Sequence, residues 1–114
     1  MSYGFASIRK EQFPQQRLDQ QAWFRLIGEI PELRRVDTLE AIHPLTKSKM
    51  LFRVNGAEMI QGGARVGLFV WQDGEIRVDG PYSMFPVAQR IAQALGAQVV
   101  DDCGEELLEV PDDD

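Results

Sequence analysis

The chain is predicted to fold as a single α+β domain: a mainly antiparallel sheet with a central meander and two helices, in the order β-α-β-β-β-β-α-β-β. Three observations predict it. Asp73-Gly74 lies between two alternating runs, Val66, Leu68 and Val70 against Gly67, Phe69 and Trp71 before it, and Ile76 and Val78 against Glu75, Arg77 and Asp79 after it. An Asp-Gly pair in that setting is a strong hairpin signal, because both turn residues tolerate positive φ. Two other stretches carry helical spacing instead, Trp23, Leu26, Ile27 and Ile30 in one, and Met84, Val87, Ala88, Ile91, Ala92 and Leu95 in the other. Finally, 114 residues suit one domain spanning the whole chain, 1–114, with no repeat or low-complexity linker.

Taken in order, Tyr3, Phe5 and Ser7 alternate with Gly4, Ala6 and Ile8 as a first strand ending at Arg9-Lys10-Glu11. After the connector Phe13-Pro14-Gln15-Gln16, Asp19 is placed to cap a helix, with Leu18 and Trp23 as a hydrophobic staple. Pro31 ends or kinks that helix, and Pro31 to Arg35 reads as a turn or a short helical continuation. Val36, Leu39 and Ile42 mark a strand, and His43 to Lys49 a loop, since the residue before Pro44 is pushed out of helical angles. Met50 to Val54 reads as a strand, Asn55-Gly56 as a second hairpin turn, and Ala57 to Ile60 as its return. Gln61-Gly62-Gly63 leads into the central hairpin.

The incoming strand of that hairpin is apolar on both faces and reads as central; the outgoing one turns a polar face to water. Gly80-Pro81 closes the meander. Ser83 is placed to cap the second helix, Pro86 fits its first turn, and Gly96 ends it in a left-handed conformation. Ala97 to Val100 and Glu106 to Val110 read as two short strands around an acidic turn.

Composition bounds the function. A 44% apolar and 26% charged balance is that of an ordinary globular protein. No apolar run is long enough to span a bilayer, no secretory signal is visible at the N-terminus, and one cysteine excludes an internal disulfide, so the cytoplasm is the expected compartment. Net charge is −6, unevenly placed: residues 101–114 carry eight acids and no base, and the first hundred carry ten acids and all twelve bases. That asymmetry fits either a docking surface for a basic partner or a solvated tail. Nucleic acid is not an expected partner, since binding it requires clustered Lys and Arg.

No catalytic, metal or nucleotide motif stands out. His43 is the sole histidine, and a general base needs an orienting partner and a pocket. One His and one Cys cannot supply a zinc site, and Cys103 lies among carboxylates that disfavour a thiolate. Gly62-Gly63 precedes a strand, not a helix, so it reads as hairpin punctuation and not as a phosphate cradle. Glu75 and Asp79 share one strand face and read as solvent-facing. Phe69 and Trp71 lie opposite Val66, Leu68 and Val70, either as core or, if uncovered, as an interface patch with Tyr82 and Phe85 nearby in sequence.

Three stretches, HPLTKSKM at 43–50, GGARVGLFVWQDGEIRVDG at 62–80 and IAQALGAQVVDDCGEEL at 91–107, resemble small bacterial immunity proteins of polymorphic toxin systems. In those, too, a Pro-Leu-Thr loop precedes a strand, a "DG" hairpin follows, and a helix leads to a strand and an acidic turn. The resemblance implies a cytoplasmic, non-enzymatic protein without cofactor that binds one toxin domain and blocks its active site. It carries over no catalytic residue. On this reading Asp101, Asp102, Glu105, Glu106 and Glu109, with Trp71 or Tyr82, form the partner-binding surface. Two other readings stay open: a small-molecule-binding or enzymatic domain using His43, Arg53 or Arg77, and a subunit of a larger assembly.

Overall fold

A computed structural model describes residues 4–110 and carries the expected α+β architecture. Its elements are β1 (Gly4–Arg9), α1 (Gln20–Ile27), β2 (Leu33–Ile42), β3 (Lys49–Gln61), β4 (Ala64–Gln72), β5 (Glu75–Asp79), α2 (Phe85–Ala94) and β6 (Gln98–Val100). The strands form one six-stranded sheet in the order β2-β3-β4-β5-β1-β6, every neighbouring pair antiparallel. The strand start at Tyr3 and the final Asp112, Asp113 and Asp114 lie outside the described residues.

Register explains which side chains form the core. Ala57 pairs with Phe69, Phe69 with Val78 and Val78 with Ala6; one step along, Trp71 pairs with Ile76, Ile76 with Ile8 and Ile8 with Val99. Directly paired residues share a face, and these join Trp23, Leu26 and Ile27 of α1 and Val87, Ala88 and Ile91 of α2 in one hydrophobic cluster. Both helices therefore cover the Phe69 face, and Phe69 is core. On the opposite face Arg34 pairs across to Glu58, Glu58 to Leu68 and Leu68 to Asp79.

The central hairpin turns at Asp73 (φ 53°) and Gly74 (φ 94°), as Asp-Gly predicts. Its turn is clipped from outside, because the Leu18 amide donates to the Gly74 carbonyl at 2.9 Å. Asp19 caps α1, its Oδ1 accepting from the Gln21 amide at 3.1 Å. Asp19→Ala is expected to cost about 1 kcal/mol; an unchanged denaturation midpoint would remove the cap from the account.

Four local expectations are corrected. Asn55-Gly56 is no turn: it sits inside the continuous 13-residue β3, and the β3–β4 turn falls at Gly62-Gly63, both at positive φ. Glycine is needed at 56 for clearance, since a Cβ there would lie 2.1 Å from the Phe69 carbonyl oxygen. Leu33 to Arg35 belong to β2, because the chain leaves α1 at Gly28 and Leu33 then pairs with Met59. The N-cap position of α2 is Met84, the last residue of a single 3-10 turn over Tyr82–Met84, and not Ser83. Glu106 to Val110 is not a strand; it reduces to one bridge between Val100 and Glu106.

β2 and β3 run past the body of the sheet. β4 pairs β3 only over Gly56–Gln61, whereas β2 pairs it out to Lys49. Thr38–Arg53 is thus a two-stranded arm, set off from the body by a bulge in β3 between Arg53 and Gly56.

Candidate functional site

The acidic segment is built by a turn that Asp101 organises. Its Oδ1 accepts the amides of Cys103 at 2.9 Å and Glu105 at 3.0 Å, an arrangement that mimics a backbone turn. The Asp101 amide donates to the Glu105 carbonyl at 2.9 Å, and the Gly104 amide donates to the Asp101 carbonyl at 3.0 Å with Gly104 at φ 83°. The chain then returns along β6, where the Leu107 amide donates to the Val99 carbonyl at 2.8 Å. Leu107 and Val110 pack against the core, so residues 101–110 are fastened to the domain and are not a free tail.

That construction separates the five acids. Asp101 is half-buried and its carboxylate points into the turn, a structural role. Asp102, Glu105, Glu106 and Glu109 are exposed, and none of them makes an ion pair among the described residues. Arg9 approaches the turn, its Nη2 lying 2.8 Å from where a Gly104 Cβ would stand, yet its ion pair is with Glu75 at 3.7 Å. Leu108, 71% exposed, sits among the carboxylates. The result is an anchored, negatively charged ridge with an apolar point on it.

The two aromatic candidates are placed differently. Tyr82 is 37% exposed and meets Phe5 of β1 edge-on, ring centroids 5.1 Å apart, which puts it on the strand next to β6. Trp71 lies on the helix-covered face of β4, half-buried against the core. β5 and β1 separate it from β6, about 14 Å at ordinary strand spacing. Tyr82 is therefore the nearer companion to the acidic ridge.

The remaining candidates have local partners. The His43 Nδ1 accepts the amides of Leu45 at 3.1 Å and Thr46 at 3.2 Å, so that nitrogen holds the arm's turn together. Glu75 pairs with Arg9, and Asp79 accepts from Arg77 Nε at 3.0 Å. Cys103 is exposed, with its amide held by Asp101. Among the described residues, no group of three His, Cys, Asp or Glu stands where it could hold a metal, and no helix is long and apolar enough to cross a membrane.

Sequence reasoning missed the arm. Three of the chain's large exposed apolar side chains are on it, Ile42 (64%), Leu45 (86%) and Leu51 (69%). The one available signal was a pair of apolar runs on either side of the His43–Lys49 loop, which the supposed turn at Asn55-Gly56 obscured. Comparison of the chain with protein-family models, with curated proteins and with solved structures finds no match.

Proposed function

We propose that this protein is an immunity-type inhibitor, acting in the bacterial cytoplasm, that binds and neutralises a cognate toxin domain through its acidic ridge. The observation that carries the reading is the set of four exposed carboxylates, Asp102, Glu105, Glu106 and Glu109, on a segment fastened to the sheet. Fixed like charges that make no ion pair among the described residues suit a basic partner cleft of the kind that binds nucleic acid or nucleotides. Complementary charge of this sort speeds encounter and sets orientation. Leu108 and Tyr82 would supply the apolar contacts that slow dissociation.

Testing it requires sparing Asp101, whose loss would open the turn. Replacing Asp102, Glu105, Glu106 and Glu109 by their amides is expected to slow association with the cognate toxin domain about tenfold or more at low salt, with little change in folding. An unchanged association rate and unchanged protection of cells would sink the reading.

A further inference from the structure

We infer that the outer edge of β2 is a self-docking edge, through which two copies of the chain join across a two-fold axis into one continuous twelve-stranded sheet. The two edges of the sheet are treated unlike each other. β6 is three residues long and covered by the returning segment at Glu106 and Leu107, a common way of blunting an edge. β2 is ten residues long, and among the described residues no strand pairs its outer side. A long open edge of this kind presents a row of backbone donors and acceptors to another strand.

Charge suits a second copy in the register that places Asp37 on the axis. Antiparallel self-pairing with Asp37 on the axis sets Arg34 opposite Glu40 of the second copy, and Glu40 opposite that copy's Arg34. Opposite charges directly across a strand pair are favourable, and the symmetry supplies this pair twice, each side chain adding the second copy's charge to a partner it already has, Glu58 for Arg34 and Lys49 for Glu40. Asp37 meets its own equivalent on the axis, but each is already answered within its chain by Arg35 Nε at 3.3 Å. The bulge that kinks the arm is in β3, so β2 pairs without interruption.

The same register gives the arm a place to go. It sets Ile42 opposite Glu32 of the second copy and carries the arm's turn at His43–Thr46 past the end of that copy's β2. There the body offers a groove of about 370 Å³ between the end of α1 and α2, lined by Leu26, Glu29, Ile30 and Arg90 among others. Glu29 is exposed and makes no ion pair among the described residues, whereas the arm carries Lys47, Lys49 and Arg53 against the single acid Glu40. An apolar, basic arm end thus arrives beside a groove of mixed lining, Leu26 and Ile30 with Glu29 and Arg90, in which Arg90 is paired to Glu32 and the Glu29 carboxylate makes no ion pair among the described residues. This accounts together for the arm's length and for the exposure of Ile42 and Leu45. The interface is independent of the acidic ridge, which lies beyond the other edge of the sheet.

The test uses the full chain. Sedimentation velocity over a concentration series up to about 100 µM is expected to show a monomer–dimer equilibrium, and Glu40→Arg, which makes both cross-pairs like-charged, to raise the dissociation constant about tenfold. Circular dichroism confirms that this exposed substitution leaves the fold intact. In a Cys103→Ser background, Asp37→Cys places two thiols face to face on the axis and is expected to give a disulfide-linked dimer under mild oxidation. Glu40→Cys, whose equivalents lie about 20 Å apart in this register, is expected to stay unlinked. A chain that remains monomeric across the series overturns the inference, whether or not β2 then captures a strand of some other protein. So does a dimer indifferent to Glu40→Arg, or one in which Glu40→Cys links as readily as Asp37→Cys.

Discussion

Replacing Trp23 with alanine is expected to lower the unfolding free energy by about 3–5 kcal/mol, a large part of what a domain of this length has to lose. Trp23 is fully buried on α1 and meets Phe69 edge-on, the ring centroids 6.5 Å apart with planes at 68°. It is where the helix layer and the middle of the sheet join, so its removal leaves a cavity bounded by strands that cannot collapse into it without losing register. The indole also carries a cost of its own. Its Nε1 is buried with no hydrogen-bond partner among the described residues, and an unmet buried donor costs about 1–3 kcal/mol. Trp23→Phe, which keeps a ring and deletes that donor, is therefore expected to lose only about 1–2 kcal/mol, the missing volume partly offset by the donor's removal. Urea unfolding of the two variants decides it. If phenylalanine proves as damaging as alanine, the indole nitrogen has a partner after all.

Gly56→Ala is the second large effect, expected at about 3 kcal/mol, the upper part of the range for forcing atoms into a packed interior. A Cβ at this position would meet the Phe69 carbonyl oxygen at 2.1 Å and the Phe69 carbonyl carbon at 3.1 Å. Both are backbone atoms of the neighbouring strand, so no side chain can swing aside. β3 and β4 must separate, at the point where Gly56 is paired to Val36 on one side and Val70 on the other. Gly62→Ala is the informative comparison. It has open space around it and suffers only from its positive φ of 61°, for which about 1 kcal/mol is expected. Equal losses at the two sites would mean that clearance is not what position 56 requires.

These two positions also show how far the residues alone could be read. Trp23 was legible as core because its i, i+3, i+4 spacing with Leu26 and Ile27 holds within a single helix, and the Asp19 cap before it is a local hydrogen bond. Asp73-Gly74 was legible for the same reason, since the two residues themselves favour the positive φ the turn needs. Asn55-Gly56 has the same local chemistry and a different fate. What separates the two cases is the strand lying against each, and Phe69 is distant in sequence from Gly56 and absent from any window around it. The acidic ridge was legible as composition, but not its division of labour. Asp101 and Asp102 are neighbours of one type, and only the amides of Cys103 and Glu105 single out the first as the one that builds the turn.

By itself, then, the order of residues determined the single α+β domain, an antiparallel meander between the helices, both helices with their apolar faces, and the segregation of negative charge at one end. Each of these rests on interactions between residues close along the chain, or on a periodicity that any partner surface would satisfy. Tertiary structure alone decided that Phe69 faces the helices, that β3 runs straight through Asn55-Gly56 into a projecting arm, and that one sheet edge is covered while, among the described residues, no strand pairs the other. Those outcomes depend on which strand lies beside which, and strand pairing between distant segments is set by the sum of the whole sheet's contacts and not by any one stretch.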